Sequence, residues 1–235
     1  MSMQSSREVT IDAGGVPLVG DLAVPARARG IIVFVHGSGS SRMSPRNQYV
    51  ASQLRGAGFA TLLFDLLTVS EEEAERFTRH LRFNIPLLAD RVTSSLTWLA
   101  RSHEITGLPI GLFGASTGAA AALIAATRVA TVDAVVSRGG RPDLAGEALD
   151  QIFTPTLLIV GSNDPQVLAL NRAALARLSG PRELHVVPGA THLFEEPGAL
   201  DEAIDVTAAW FRKHLSRTTP RVEIDRASQQ PRAKR

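Results

Sequence analysis

Gly111-Leu112-Phe113-Gly114-Ala115-Ser116-Thr117-Gly118 is the stretch whose reading decides the fold. An apolar run, residues 109–113, leads into it, and an alanine-rich run, residues 119–126, leaves it. A strand that turns tightly and passes at once into a helix is the setting in which G-x-S-x-G acts as a nucleophile elbow. Small residues at 114 and 118 let such a turn pass its neighbours while the serine adopts strained backbone angles. A helix starting at Ser116 also directs partial positive charge to where an oxyanion would form. An ordinary tight turn would explain the glycines, but not their place between strand and helix.

Outward from this point, short apolar or β-branched runs alternate with longer helical ones, the pattern of a mostly parallel sheet covered by helices on both faces. Expected strands lie at residues 30–35, 59–64, 109–113, 132–137, 156–160 and 183–187. Expected helices lie at 46–57, 86–102, 116–128, 165–178 and 199–215, and residues 71–83 are charged and helix-permissive. Residues 7–12 and 16–24, separated by Ala13-Gly14-Gly15, read as a hairpin that gives the sheet an antiparallel start. Only 18 residues separate the strands at 132–137 and 156–160, too few for a large lid domain, so an open pocket is expected.

The composition, 44% hydrophobic and 20% charged over 235 residues, is that of a globular chain with one sizeable core. With no cysteine, disulfides, thiolate metal sites and a cysteine nucleophile are excluded. No metal or cofactor is called for. Residues 216–235 hold six basic and two acidic side chains, a net +4 that leaves the rest at −2. The reading is a domain at 1–215 followed by a basic, flexible tail at 216–235 rather than a nucleic-acid site. The first ten residues are polar and no run is long enough to span a bilayer, so neither signal peptide nor membrane partner is expected, and the cytoplasm is the expected location.

A serine needs a base to take its proton, and six histidines are available. His185 falls inside an expected strand, His103 and His214 end helices, His80 sits among charges, and His36 opens the loop His36-Gly37-Ser38-Gly39-Ser40. His192 lies in a loop after the last strand, where it can hang over the carboxyl edge of the sheet. Asp164 ends the run LLIVGSND and emerges at the same edge, so Ser116, Asp164 and His192 follow one another in the order Ser, Asp, His. Asp164 also stands where a helix N-cap would, ahead of Pro165. The oxyanion hole is assigned to the N–H groups of Thr117 and Ser38, with Gly39 as the alternative to Ser38. Arg42, Arg138 and Arg141 stand in loops near the expected mouth and are candidates for binding a substrate carboxylate or phosphate, against the alternative of surface salt bridges.

HGSGSSR (36–42), GLFGASTGAAAAL (111–123), SRGGRPDLAG (137–146), PTLLIVGSND (155–164) and PGATHLFEEPGAL (188–200) together resemble the bacterial dienelactone-hydrolase-related branch of the α/β-hydrolase family. The resemblance runs from Val9 to Leu215. It implies the α/β-hydrolase fold and, since similar domains occur alone or joined to a phosphoribosyltransferase domain, a chain able to act by itself or as a module. Dienelactone hydrolases use a cysteine nucleophile where this chain has Ser116, which favours general ester hydrolysis. The expected activity is therefore cleavage of a small-molecule carboxylic ester or lactone through an acyl-enzyme on Ser116, without a cofactor. A non-catalytic ligand-receptor or partner-binding module, or an acyltransferase, is the alternative. Oligomeric state is left open.

Overall fold

The computed structural model describes residues 6–215, and the expected basic tail at 216–235 lies outside the described residues. β1 (Arg7–Asp12) and β2 (Pro17–Ala23) form the antiparallel hairpin, Arg7 facing Leu22 and Asp12 facing Pro17. The Asp12 carboxylate accepts the Gly15 N–H at 2.7 Å and closes the turn. Six further strands follow: β3 (Ile31–Val35), β4 (Ala60–Phe64), β5 (Ile110–Ala115), β6 (Val132–Arg138), β7 (Thr156–Gly161) and β8 (Arg182–Val187). They complete one sheet in the order β1-β2-β4-β3-β5-β6-β7-β8, in which β2 runs antiparallel to β4 and every pair from β4 to β8 is parallel. This is the α/β-hydrolase architecture.

Burial on both faces explains why β3, β4, β5 and β7 read as nearly continuous apolar runs, interrupted only by the buried Thr61 and Thr156. Successive side chains alternate between two cores. Ile31, Val33 and Val35 join Leu112 on one face; Ile32 and Phe34 join Phe113 on the other. The first face is covered by α3 (Ile85–Ala100) and α4 (Thr117–Arg128), with Ala174 of α5 (Pro165–Arg177) at its margin. α1 (Pro45–Gly56) and α6 (Ala199–His214) cover the second through Val50, Leu54, Ile204 and Phe211.

Residues 71–83 do not form one helix. α2 (Val69–Thr78) stops at Arg79, which turns left-handed at φ 50°, and a 3-10 turn follows at Leu81–Phe83. The cause is Glu75. Its fully buried carboxylate accepts the N–H groups of His80, Leu81 and Arg82, so the backbone folds around a side chain instead of continuing the helix. The connection between β6 and β7 is likewise a 3-10 stretch, Pro142–Gln151, broken by Gly146 at φ 57°. Among the described residues no helix is long and apolar enough to cross a membrane.

Candidate active site

A helix leaves its first amide groups without partners, and a Ser, Thr, Asn or Asp at the N-cap normally accepts one of them. Ser44 does so for α1, Thr68 for α2 through a reciprocal capping box with Glu71, and Asn84 for α3. Ser116 holds the N-cap of α4 and Asp164 that of α5, yet neither side chain makes a cap hydrogen bond. Ser116 cannot, because its backbone stands at φ 49°, ψ −124°, outside the usual N-cap region. The Asp164 carboxylate is engaged elsewhere. It lies 2.7 Å from His192 Nδ1, with the Asp164 side chain 15% exposed and His192 39% exposed.

Two close backbone approaches bring these groups to one edge of the sheet. A Cβ on Gly118 would stand 2.2 Å from the Val35 carbonyl oxygen and 2.4 Å from that of His36, so only glycine lets α4 start against the end of β3. That places Gly37 against the Ser116 turn, its missing Cβ 2.9 Å from Ser116 Cβ. At the other strand ends, a Cβ on Gly161 would meet the Ala190 oxygen at 2.1 Å. The Asp164 and His192 turns are stitched there by Asn163 N–H to the Ala190 carbonyl at 2.9 Å and Gly189 N–H to Ser162 Oγ at 2.7 Å. Ser116 and His192 line one cleft of about 950 Å³, together with Gly37, Ser38, Arg138 and Gly139.

His36 sits at the same edge but is closed in. A backbone amide can only donate, so Leu66 N–H bonding to Nε2 at 3.1 Å makes that nitrogen the acceptor, and Nδ1–H is left to donate to the Gly37 carbonyl at 2.9 Å. Burial pushes the His36 pKa down and keeps the ring neutral. His192 has one nitrogen on a carboxylate and stands on the cleft; His36 has both nitrogens committed to the backbone.

The two expected oxyanion donors lie side by side, in an arrangement the sequence does not anticipate. Ser38 N–H donates to Thr117 Oγ1 at 2.8 Å, so the threonine hydroxyl already occupies that donor. The Thr117 N–H belongs to the first turn of α4, where no intrahelical acceptor exists.

Of the three arginines singled out from sequence, only Arg138 lines the cleft. Arg42 turns away: its N–H donates to Asp65 at 2.7 Å, and its guanidinium is 3.1 Å from Glu8, 3.5 Å from Asp65 and 3.9 Å from Asp21. Arg141 makes a two-pronged pair with Asp143, both contacts 2.8 Å. Two arginines not anticipated, Arg46 and Arg82, line the cleft instead. Arg46 pairs with Glu195 at 2.9 Å and Arg82 with Glu75 at 3.0 Å. The signal for Arg82 was local, an acid at 75 followed within seven residues by the segment that folds around it. Among the described residues no group of three or more His, Cys, Asp or Glu side chains is placed to hold a metal.

Comparison with known proteins agrees with this architecture. The profile of the dienelactone hydrolase family matches residues 18–219. The solved structure of a dienelactone hydrolase from Anabaena variabilis ATCC 29413 superposes with a TM-score of 0.88 at 52% identity, covering 90% of this chain and 98% of that one. Est1E from Butyrivibrio proteoclasticus shares the fold at a TM-score of 0.73 and 14% identity, covering 88% of this chain and 98% of that one. Two proteins of Mycobacterium tuberculosis, strains CDC 1551 / Oshkosh and ATCC 25618 / H37Rv, are named putative phosphoribosyl transferases and are each 57% identical over 210 residues. The match takes in 88% of this chain but 46% of each of theirs, so the chain spans about half the length of these curated relatives.

Proposed function

The chain belongs to the dienelactone hydrolase family, and from that premise we propose that it is a serine hydrolase cleaving small carboxylic esters or lactones. The observation that carries the reading is the pair of withheld caps. Ser116 and Asp164 hold N-cap positions without capping, and His192 links them by pairing with the Asp164 carboxylate and opening onto Ser116's cleft.

In this reading Ser116 Oγ attacks the acyl carbonyl while His192 Nε2 takes its proton. The Asp164 carboxylate accepts the Nδ1–H bond, fixes the tautomer and stabilises the imidazolium. Negative charge on the carbonyl oxygen is met by the Thr117 N–H and, as the oxyanion displaces the Thr117 hydroxyl as acceptor, by the Ser38 N–H. The imidazolium then protonates the departing alkoxide. Water, deprotonated by His192, attacks the acyl-enzyme, releases the acid and returns the proton to Ser116. Phosphoribosyl transfer is not carried over from the longer relatives, because the chain matches under half of each. The proposal places a small-molecule ester in the cleft and the chain in the cytoplasm.

A fluorophosphonate probe should label the native protein at Ser116 and leave Ser116→Ala unlabelled. A folded native protein that the probe does not touch would favour a non-catalytic module. With 4-nitrophenyl esters of graded length, short acyl chains should be turned over best, since the β6–β7 connection is a short 3-10 stretch rather than a lid domain. Product analysis with added alcohol separates hydrolysis from acyl transfer.

A further inference from the structure

The buried stripe of α1 runs Asn47, Val50, Ala51, Leu54, positions three or four apart that form the inward face of the helix. Val50, Ala51 and Leu54 are apolar and join the core with Phe34 and Phe113. Asn47, at the N-terminal end of the stripe, is polar and only 4% exposed. A buried side-chain amide normally has hydrogen-bond partners, because leaving it without them costs its full desolvation. Among the described residues the Asn47 amide has none; its backbone is engaged instead, the N–H lying 3.5 Å from Ser44 Oγ. Nor is the amide sealed in, as the equally unpartnered Ser137 Oγ and Asn171 Oδ1 are. Asn47 lines the cleft that holds Ser116 and His192, so the little surface it keeps is open to that cleft.

The start of α1 is fixed on both sides of this residue. Arg46 pairs with Glu195 in the loop that carries His192, and Gln48 Nε2 donates to the Arg42 carbonyl at 2.7 Å. The charges that line the cleft have neighbours of their own: Arg82 has Glu75 and, at 3.9 Å, Glu72, while Arg138 stands over the Phe113 and Phe194 rings with Nε and Nη1 sealed. Asn47 offers something else, an oxygen that accepts and an NH2 group that donates. A carboxylate, an ester carbonyl or an ether oxygen only accepts, so each leaves Oδ1 unmet. An ammonium only donates and leaves Nδ2 unmet. A hydroxyl does both.

We propose that Asn47 is a specificity-determining residue of the cleft and binds an alcoholic hydroxyl of the substrate, carried on the alcohol or the acyl side of the scissile ester. The assignment rests on the hydrolase reading of this cleft and narrows its substrates to hydroxylated esters. The hydroxyl donates to Oδ1 or accepts from Nδ2, and a second hydroxyl on the next carbon completes the pair. A plain ester strips the amide of solvent and returns no partner, and discrimination against it comes from that unpaired group. Because the first turn of α1 is already tied down, little ordering remains for the substrate to bring about.

The test uses two pairs of esters followed by acid release. Propyl butyrate and glyceryl monobutyrate differ by hydroxyls on the alcohol side, ethyl butyrate and ethyl 3-hydroxybutyrate by a hydroxyl on the acyl side. In one pair the native protein should favour the hydroxylated ester in kcat/KM by roughly five- to a hundredfold, the effect of leaving a buried hydrogen-bonding group unpaired, and that pair identifies the source of the hydroxyl. Asn47→Leu, close in shape, and Asn47→Ala should each bring the ratio near one. Tyr49→Phe removes a bond of 2.8 Å to Asp201 from the exposed side of the same helix and should leave the ratio as it was. A native ratio near one in both pairs, a ratio kept in either folded Asn47 variant, or one lost equally in Tyr49→Phe overturns the proposal. Binding is read separately by calorimetry in Ser116→Ala: the favoured hydroxylated ester should bind more tightly than its plain counterpart, and adding Asn47→Ala should remove the difference. If the native protein cleaves none of the four esters and takes no fluorophosphonate, the hydrolase reading fails, and calorimetry alone decides whether Asn47 binds the hydroxyl; equal affinity within both pairs overturns it.

Discussion

Among the described residues five of the six α-helices start at a Ser, Thr, Asn or Asp, and these five fall into two groups that differ in use, not in residue type. Ser44, Thr68 and Asn84 spend their side chains on their own helices, whereas Ser116 and Asp164, equally suited to capping, do not. A capping bond contributes about 0.5–2 kcal/mol, so two helices here forgo a gain that three others take. Ser116 also stands at a positive φ that a non-glycine residue adopts at a cost of order 1–3 kcal/mol. Local rules are broken where a side chain is reserved for another purpose, and the two breaches sit at the same edge of the sheet. Each difference between the groups can be measured.

The largest expected effect is on rate. Ser116→Ala and His192→Ala should each lower ester hydrolysis by roughly three orders of magnitude or more. Asp164→Asn should follow with a loss of roughly two to four orders, because the amide neither fixes the imidazole tautomer nor offsets the imidazolium charge. Asn is as good an N-cap as Asp, so the same substitution should not destabilise α5. A slow Asp164→Asn variant whose urea midpoint has also collapsed would mean that Asp164 serves the fold after all. A folded Ser116→Ala variant that keeps most of its activity would end the comparison at its first step.

β3 to β7 were legible because burial on both faces leaves a direct imprint on sequence, β1 and β2 because a glycine turn separates them, and all eight strands fall within two residues of their expected bounds. Ser116, Asp164 and His192 were candidates because each follows a strand, a feature of chain order. Arginine partners leave no such imprint. Arg42 is held by Glu8, Asp21 and Asp65, which come from three separate segments, while Arg141 finds its acid two residues away. Both carried the same sequence signal as Arg138, and only tertiary packing separates them. The bond from Ser38 N–H to Thr117 Oγ1 spans 79 positions and was invisible for the same reason. So was the break in residues 71–83, where a buried carboxylate overrides helix-permissive composition.

Glu75 makes that break a second test, since it is a carboxylate given wholly to structure. Burial by itself would raise its pKa, but hydrogen bonds from Leu81, Arg82 and Thr78 outweigh it and bring the group from the ordinary 4.5 down to about 2. A folded pKa below the unfolded one means the unfolded chain binds the proton more readily. The contribution is full above pH 4.5 and is lost as pH falls towards 2. Glu75→Gln should therefore be less stable than the native protein at pH 6, with the gap between their urea midpoints narrowing at pH 4 and again at pH 3. Parallel curves across that range would show that the Glu75 charge is not what holds the 78–83 turn.

The smallest effects separate the two groups of caps most directly. Thr68→Ala removes the oxygen that accepts the Glu71 N–H at 3.2 Å and leaves only the return bond of the capping box, from the backbone N–H of residue 68 to the Glu71 carboxylate, so it should cost about 1 kcal/mol in urea unfolding. Ser44→Ala and Asn84→Ala should behave alike. Ser116→Ala loses no capping bond and keeps the same backbone angles, so its stability should stay within about 0.5 kcal/mol of the native value. Ser116→Gly goes further, because glycine adopts φ 49° without the Cβ penalty, and the release of strain should make it more stable than Ser116→Ala by about 1 kcal/mol. If Ser116→Ala loses as much as Thr68→Ala, the serine hydroxyl is supporting its helix, and the distinction between spent and withheld caps does not hold. Should Ser116→Gly prove no more stable than Ser116→Ala, the positive φ carries no strain, and the hydroxyl's freedom is a matter of orientation alone.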